Sequence, residues 1–191
     1  MGGFIGGAIT FILVYFVVGK FYFRGKKKGL HIKEFNKLLI VAPCCITIAH
    51  AFGRIGCLTA GCCHGKYLGQ EYVFGGIWMK SDGMWGYYVP TQLYESLFLF
   101  VLFVVLSILL FKKCNITMQI YLIAYGVWRF LIEFLRDDAR GGFVLGLSPS
   151  QWQSFIFIGM GLVLLLIYYL VKIPFWNNYE NVKTNKEKVK E

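Results

Sequence analysis

Charge is scarce in this sequence. Asp, Glu, Lys and Arg make up 16% of its 191 residues, against 57% hydrophobic and 18% aromatic residues. Soluble domains carry about 25% charged residues, so this shortage excludes an ordinary water-soluble globule. Acidic groups are rarer than basic ones, ten against 20. A basic excess can mark a nucleic-acid binder, but these lysines stand in short clusters between apolar runs. That is how membrane topology is signalled, and no nucleic-acid partner is expected. No secretory cleavage pattern precedes the first apolar run, which is therefore read as a span. No soluble domain separates out, and the Gly-Gly pairs are too short to count as a repeat. The cysteines do not form a repeated C-x-x-C pair.

What is present is a series of apolar runs. Phe4–Phe23 is the first of the roughly 20 residues a bilayer requires, and Gly2-Gly3 and Gly6-Gly7 give its early turns small surfaces for packing. A basic loop follows, Arg24–Lys28 with Lys33 and Lys37. Leu38–Ile55 is the second span, with Pro43 tolerable where neighbouring helices satisfy the freed carbonyl. Residues 57–90 are too polar and glycine-rich to span; glycine turns and short extended pieces are expected, with Trp78, Trp85, Tyr87 and Tyr88 at the interface. Thr91–Phe111, Thr117–Leu135 and Ser150–Val171 are the third to fifth spans. The fourth and fifth are separated by a charged loop at residues 136–142. With the amino end outside, the inner segments collect 14 of the 20 Lys and Arg residues. The predicted fold is an all-α polytopic transmembrane bundle of about five spans, carboxyl end cytoplasmic. It comprises a membrane domain, residues 1–172, and a basic tail, residues 173–191.

The chemistry concentrates in His50–Gly65, HAFGRIGCLTAGCCHG. An arginine at membrane depth is costly, and such residues face a bundle interior or a wet cavity. His50 lies one helical turn before Arg54. Tyr125, Arg129 and Glu133 line one stripe of span four, and Gln92 and Glu95 are neighbours where span three begins. Ser148, Ser150, Gln151 and Gln153 open span five. In the predicted topology all of these groups fall in the outer half of the membrane. Paired arginines in such a cavity suit a phosphate, because guanidinium binds phosphate oxygens bidentately and lipid head groups supply them at this depth. The plainer account, Arg129 and Glu133 neutralising each other, leaves Arg54 without an evident partner.

Four blocks carry a family resemblance: Gly-Gly-Phe-Ile-Gly at Gly2, G-R-I-G-x-x-x-x-G-x-x-x-G from Gly53 to Gly65, P-T-Q-L-Y-E from Pro90 to Glu95, and Y-G-x-x-R-F-x-x-E-F-x-R from Tyr125 to Arg136. In order and spacing they resemble the prolipoprotein diacylglyceryl transferase family, down to about residue 170. The resemblance implies a bacterial inner-membrane enzyme, its site facing outward among membrane lipids. Such an enzyme moves diacylglyceryl from phosphatidylglycerol to the lipobox cysteine that follows a prolipoprotein signal peptide, releasing glycerol phosphate. It implies no cofactor and no metal. Arg54 and Arg129 match the family's essential arginines, with Glu133 and Tyr125 supporting the second. Gly2, Gly3, Gly53, Gly56, Cys57, Gly61, Gly65, Gln92, Tyr94 and Glu95 match substrate-contacting positions.

The sequence also departs from the pattern. Members usually carry histidine before the first Gly-Gly, where this chain has Met1, and about two spans ahead of that block. Cys57 stands in place of an asparagine, Cys62 in place of a glutamate, and Val89 in place of a histidine. The proton acceptor is then expected from His50, His64 or Cys62. The thiols of Cys57, Cys62 and Cys63 keep three readings open. They are structural, with a Cys57–Cys62 disulfide clamping the turn; or Cys62 or Cys63 is an activated nucleophile near Arg54 and His64; or, with His64, they hold a soft metal.

Overall fold

This computed structural model describes residues 2–22, 30–81, 83–136 and 146–171. The chain divides into two units, residues 1–39 with 175–191 and residues 40–174. Most of the expected basic loop, the charged loop beyond Arg136 and the tail 173–191 lie outside the described residues.

The first unit holds α1 (Gly2–Tyr22). Its described apolar stretch, Ile9–Tyr22, is shorter than a span, and Phe11 and Tyr15 pack one turn apart with ring centres at 6.2 Å. α2 (Leu30–Thr59) begins in this unit. It starts well before Leu38, the boundary expected from hydropathy, because Leu, Lys and Glu are good helix formers whether or not they sit in lipid.

The second unit takes α2 from Ile40 onward. It then has β1 (Tyr67–Gly69), β2 (Ile77–Ser81), β3 (Met84–Tyr88), α3 (Thr91–Phe111), α4 (Thr117–Ile132), a 3-10 turn (Glu133–Leu135) and α5 (Pro149–Val171). Among the described residues, four stretches are long and apolar enough to cross a membrane: Ile40–Thr59, Thr91–Phe111, Thr117–Leu135 and Pro149–Leu170. Their outer faces expose Leu97, Val101, Ile108, Ile156, Val163 and Leu166. Apolar surface of that extent needs lipid to cover it, so the chain is a multi-pass helical membrane protein.

Small residues and hydroxyls set the helix packing, as they do where lipid removes the usual hydrophobic drive between helices. A Cβ on Gly126 would lie 3.1 Å from the Ser154 carbonyl oxygen, and one on Gly161 would lie 3.2 Å from Leu122 Cβ and 3.3 Å from the Gln119 oxygen. α4 and α5 therefore meet nearly backbone to backbone. The Thr117 hydroxyl donates to the Ile40 carbonyl at 3.0 Å and that of Ser96 to the Ala51 carbonyl at 3.1 Å, tying α2 to both α4 and α3. Leu99, Leu106 and Ala51 are enclosed with Cys44, Tyr121 and Tyr125 in the core.

The expected extended pieces pair into an antiparallel sheet of order β1-β3-β2. β2 and β3 pair from Ile77↔Tyr88 to Ser81↔Met84. Trp78, Trp85 and Tyr87 fall on its outer face, the two indoles stacked at 6.2 Å. Tyr88 turns inward and is buried. Gly65 pins the sheet to the bundle: its N–H donates to the Val89 carbonyl at 2.8 Å, and the next N–H, of Lys66, donates to that of Leu135 at 3.1 Å. A Cβ on Gly65 would stand 2.5 Å from the Leu135 oxygen, so glycine is required by space.

Substituting Gly161 with leucine should overpack the α4–α5 contact and lower stability by about 1–3 kcal/mol. Gly159→Ala meets nothing within 4 Å and should be neutral or slightly stabilising. Unfolding in mixed micelles distinguishes them; equal behaviour of the two variants would argue against the close contact.

Candidate functional site

Glu95 is the hub. It lies one turn into α3 with no solvent exposure. Arg54 Nη2 donates to its Oε1 at 2.9 Å, the Tyr125 hydroxyl donates to the same oxygen at 3.1 Å, and His50 Nε2 lies 3.7 Å away. Three helices thus converge on one carboxylate: α2 through His50 and Arg54, α3 through Glu95 itself and α4 through Tyr125. The His50 and Tyr125 rings meet edge to face at 5.3 Å. Arg54 accordingly has a partner that sequence spacing did not reveal. Tyr125, expected to support the second arginine, instead bonds the partner of the first.

The second cluster forms where α4 ends and α5 begins. Arg129 Nη2 donates to the Ser150 hydroxyl at 2.7 Å and stands 3.1 Å from Glu133 Oε2. The Ser148 hydroxyl donates to Glu133 Oε1 at 2.7 Å. α5 opens Ser148-Pro149-Ser150-Gln151, a capping box. The Ser148 N–H donates to Gln151 Oε1 at 2.9 Å and its hydroxyl accepts the Gln151 N–H at 3.3 Å. Proline takes the first helical position, where no N–H is needed. The cap thereby aims Ser148 and Ser150 at the Arg129–Glu133 pair. Ser150 is the contact that pattern reading named only as part of a helix start.

Both clusters retain buried polar atoms without a hydrogen-bond partner: Arg54 Nε, Arg129 Nη1 and Glu95 Oε2, with Gln92 Oε1 beside them. Leaving such atoms unmet costs about 1–3 kcal/mol each. Two cationic donors, with the carboxylate oxygens Glu95 Oε2 and Glu133 Oε2 beside them, leave hydrogen-bonding capacity for a polar ligand.

The remaining candidates divide. Gln92 Nε2 donates to the Cys62 carbonyl at 2.6 Å, so Gln92 braces the GCCHG turn while its own oxygen stays unmet. Tyr94 points elsewhere, its hydroxyl donating to Gly75 O at 3.3 Å. A Cβ on Gly53 or Gly56 would meet nothing within 4 Å, so those faces of α2 are open among the described residues. Gly61, at φ +66°, is the left-handed residue of a Schellman cap: its N–H reaches Leu58 O at 3.2 Å and the Cys62 N–H reaches Cys57 O at 3.1 Å. That cap folds Cys62 back over Cys57, and the Sγ atoms of Cys57, Cys62 and Cys63 lie within 4.8 Å of one another. None of the three is in a disulfide, so the Cys57–Cys62 bridge is not formed. Desolvation first, then the neighbouring Cys63, push the Cys62 thiol up to about 11, the reverse of an activated nucleophile.

His64 belongs to the sheet. Its Nδ1 lies 2.8 Å from Gly65 O and must donate there, leaving Nε2 to accept from the Ser81 hydroxyl at 2.6 Å, and it packs on Tyr88 at 4.3 Å. Of the proton acceptors expected from sequence, His50 alone stands at the polar hub. Gly2 and Gly3 open α1 in the other unit.

A family model described as prolipoprotein diacylglyceryl transferase matches residues 1–167. A Clostridium tetani phosphatidylglycerol–prolipoprotein diacylglyceryl transferase is 34% identical over 84% of this chain and 60% of its own length. The Clostridium perfringens transferase 2 is 36% identical over 86% of this chain and 59% of its own. One from Dehalococcoides mccartyi is 38% identical over 64% and 48%. The chain thus spans about 60% of the length of the clostridial relatives. No solved structure matches.

Removing Glu95 would strand the Arg54 guanidinium, and breaking a buried pair in this way costs about 3–5 kcal/mol. Glu95→Leu should lose that much stability. Glu95→Gln, which keeps an acceptor for Tyr125, should lose less. Denaturation of the two variants in mixed micelles measures the difference. Parent-like stability of Glu95→Leu would mean that the pair does not form.

Proposed function

The chain belongs to the prolipoprotein diacylglyceryl transferase family, and from that premise we propose that it transfers diacylglyceryl from phosphatidylglycerol to the lipobox cysteine thiol of a prolipoprotein. The observation that carries the reading is the pair of unmet guanidinium donors, Arg54 Nε and Arg129 Nη1, each on an arginine already fixed by a carboxylate. A guanidinium held by its counter-ion on one side has its remaining N–H groups aimed before the ligand arrives. Such preorganisation stabilises charge as it develops.

In this reading the phosphate diester of the lipid lies between Arg54 and Arg129, its glycerol head against the open faces of Gly53 and Gly56. The acceptor thiol, presented by its signal peptide, attacks the glycerol carbon that carries the phosphate. The S–C bond forms as the C–O bond breaks, and glycerol phosphate leaves with the electron pair. The thiol proton passes to His50, whose Nε2 lies 3.7 Å from Glu95 Oε1. The family's usual base positions hold other residues here, and the reading therefore rests the proton on α2. The bilayer is the bacterial inner membrane, the amino end and site facing outward. Residues 173–191 form a cytoplasmic tail beside a membrane domain spanning residues 1–172.

The test is transfer of labelled diacylglyceryl from phosphatidylglycerol vesicles to a lipobox peptide. Parent protein should transfer, and Arg54→Ala and Arg129→Ala should each lose about 100- to 1,000-fold in rate, the scale of removing one preorganised donor. His50→Ala should slow transfer while leaving lipid affinity intact. Lipid binding without transfer by parent protein would favour a non-catalytic phospholipid-binding member of the fold.

A further inference from the structure

The three-thiol cluster is left unused by the proposed transfer. Its construction is specific. The Schellman cap at the end of α2 brings Cys62 over Cys57. The next residue, Cys63, takes φ 63°, a left-handed conformation that costs a non-glycine residue about 1–2 kcal/mol. Two side chains of α3 hold that conformation: the Thr91 hydroxyl donates to Cys63 O at 3.1 Å, and Gln92 Nε2 donates to Cys62 O at 2.6 Å. The turn is thus braced from outside in a form that gathers all three sulfurs within 4.8 Å.

We propose that Cys57, Cys62 and Cys63 bind one thiophilic metal ion, with Zn²⁺ the best fit, at the end of α2. Tetrahedral zinc with bonds of about 2.3 Å places its sulfurs about 3.8 Å apart, within about an ångström of the observed limit of 4.8 Å. A disulfide would use two of the sulfurs and leave the third beside it unexplained; an ion uses all three. The fourth position falls to water, because both nitrogens of His64 are committed to Gly65 and Ser81. Binding releases the thiol protons to solvent. The resulting anionic site has its counter-charge nearby, since Arg54 precedes Cys57 by one helical turn. The ion would fix the end of α2 and with it the approach to Arg54.

The experiment uses the full chain, purified in reducing buffer, loaded with Zn²⁺ and desalted. Metal content should be about one zinc per chain, and Co²⁺ loading should give a sulfur-to-cobalt charge-transfer band. Cys57→Ser, Cys62→Ser and Cys63→Ser should each weaken zinc binding about 100-fold or more, since even outer-shell changes cost about 10–100-fold. A variant lacking Cys44, Cys45 and Cys114 should bind as the parent does. Should a serine variant fail to fold, the parent alone decides the matter by mass spectrometry after alkylation. Zinc should shield three of the six cysteines and a chelator should expose them again. Six thiols equally reactive with and without zinc would overturn the proposal. So would two thiols lost without zinc and restored by reductant, which would identify a disulfide.

Discussion

A carboxylate enclosed in an apolar bundle must be answered by charge or hydrogen bonds, and in this protein the arrangement of three helices follows from how Glu95 is answered. Taking an ion out of water costs several kcal/mol even after relaxation. The Arg54 guanidinium and the Tyr125 hydroxyl meet one oxygen, with His50 at 3.7 Å. Each comes from a different helix from Glu95, so the hub acts as a register pin. Sliding α2 by one turn, about 5.4 Å, would strand both charges, and sliding α4 would remove the Tyr125 hydrogen bond. Apolar packing between these helices specifies register less strictly, because one Leu or Val contact can replace another.

The second cluster extends the same logic to α5. Its first turn is set by the Ser148–Gln151 capping box, and the hydroxyl that caps the helix also donates to Glu133. Local helix chemistry and site chemistry therefore share atoms. The glycine contacts of α4 and α5 bring the backbones close enough for Ser150 to reach Arg129.

Much of this was legible in the sequence, and the residues show why. Span three was placed at its observed ends, since its apolar run stops abruptly at lysine. The Arg129–Glu133 pair followed from helical spacing within a single element, which a one-dimensional pattern records. Partnership between elements does not appear in spacing. Arg54 with Glu95, and Tyr125 with Glu95 rather than the second arginine, depend on which helix faces which. The span in α2 was expected from Leu38 and is found from Ile40; the helix itself begins earlier, at Leu30, because hydropathy marks the edge of lipid, whereas helices end where capping and backbone preference end them. The sheet was read only as extended pieces, since its pairing rests on contacts such as Gly86 beneath the Tyr67 ring.

His64 illustrates the remaining difficulty. In sequence it stands among cysteines and near Arg54, and a histidine so placed invites a chemical role. In the structure its two nitrogens join Gly65 to Ser81, and it holds the sheet against the end of α2. The same sheet is bound by backbone bonds to Val89 and Leu135, immediately before α3 and at the end of α4. A hydrogen-bonded cap therefore spans the ends of the helices that carry Arg54, Glu95 and Arg129. Atoms such as Arg54 Nε and Arg129 Nη1 remain useful unmet donors only while the scaffold prevents them from relaxing onto nearer carbonyls. The glycine at 65, the cap at 61 and the histidine at 64 are thus read together as the support that keeps a charged site open at the edge of a low-dielectric bundle.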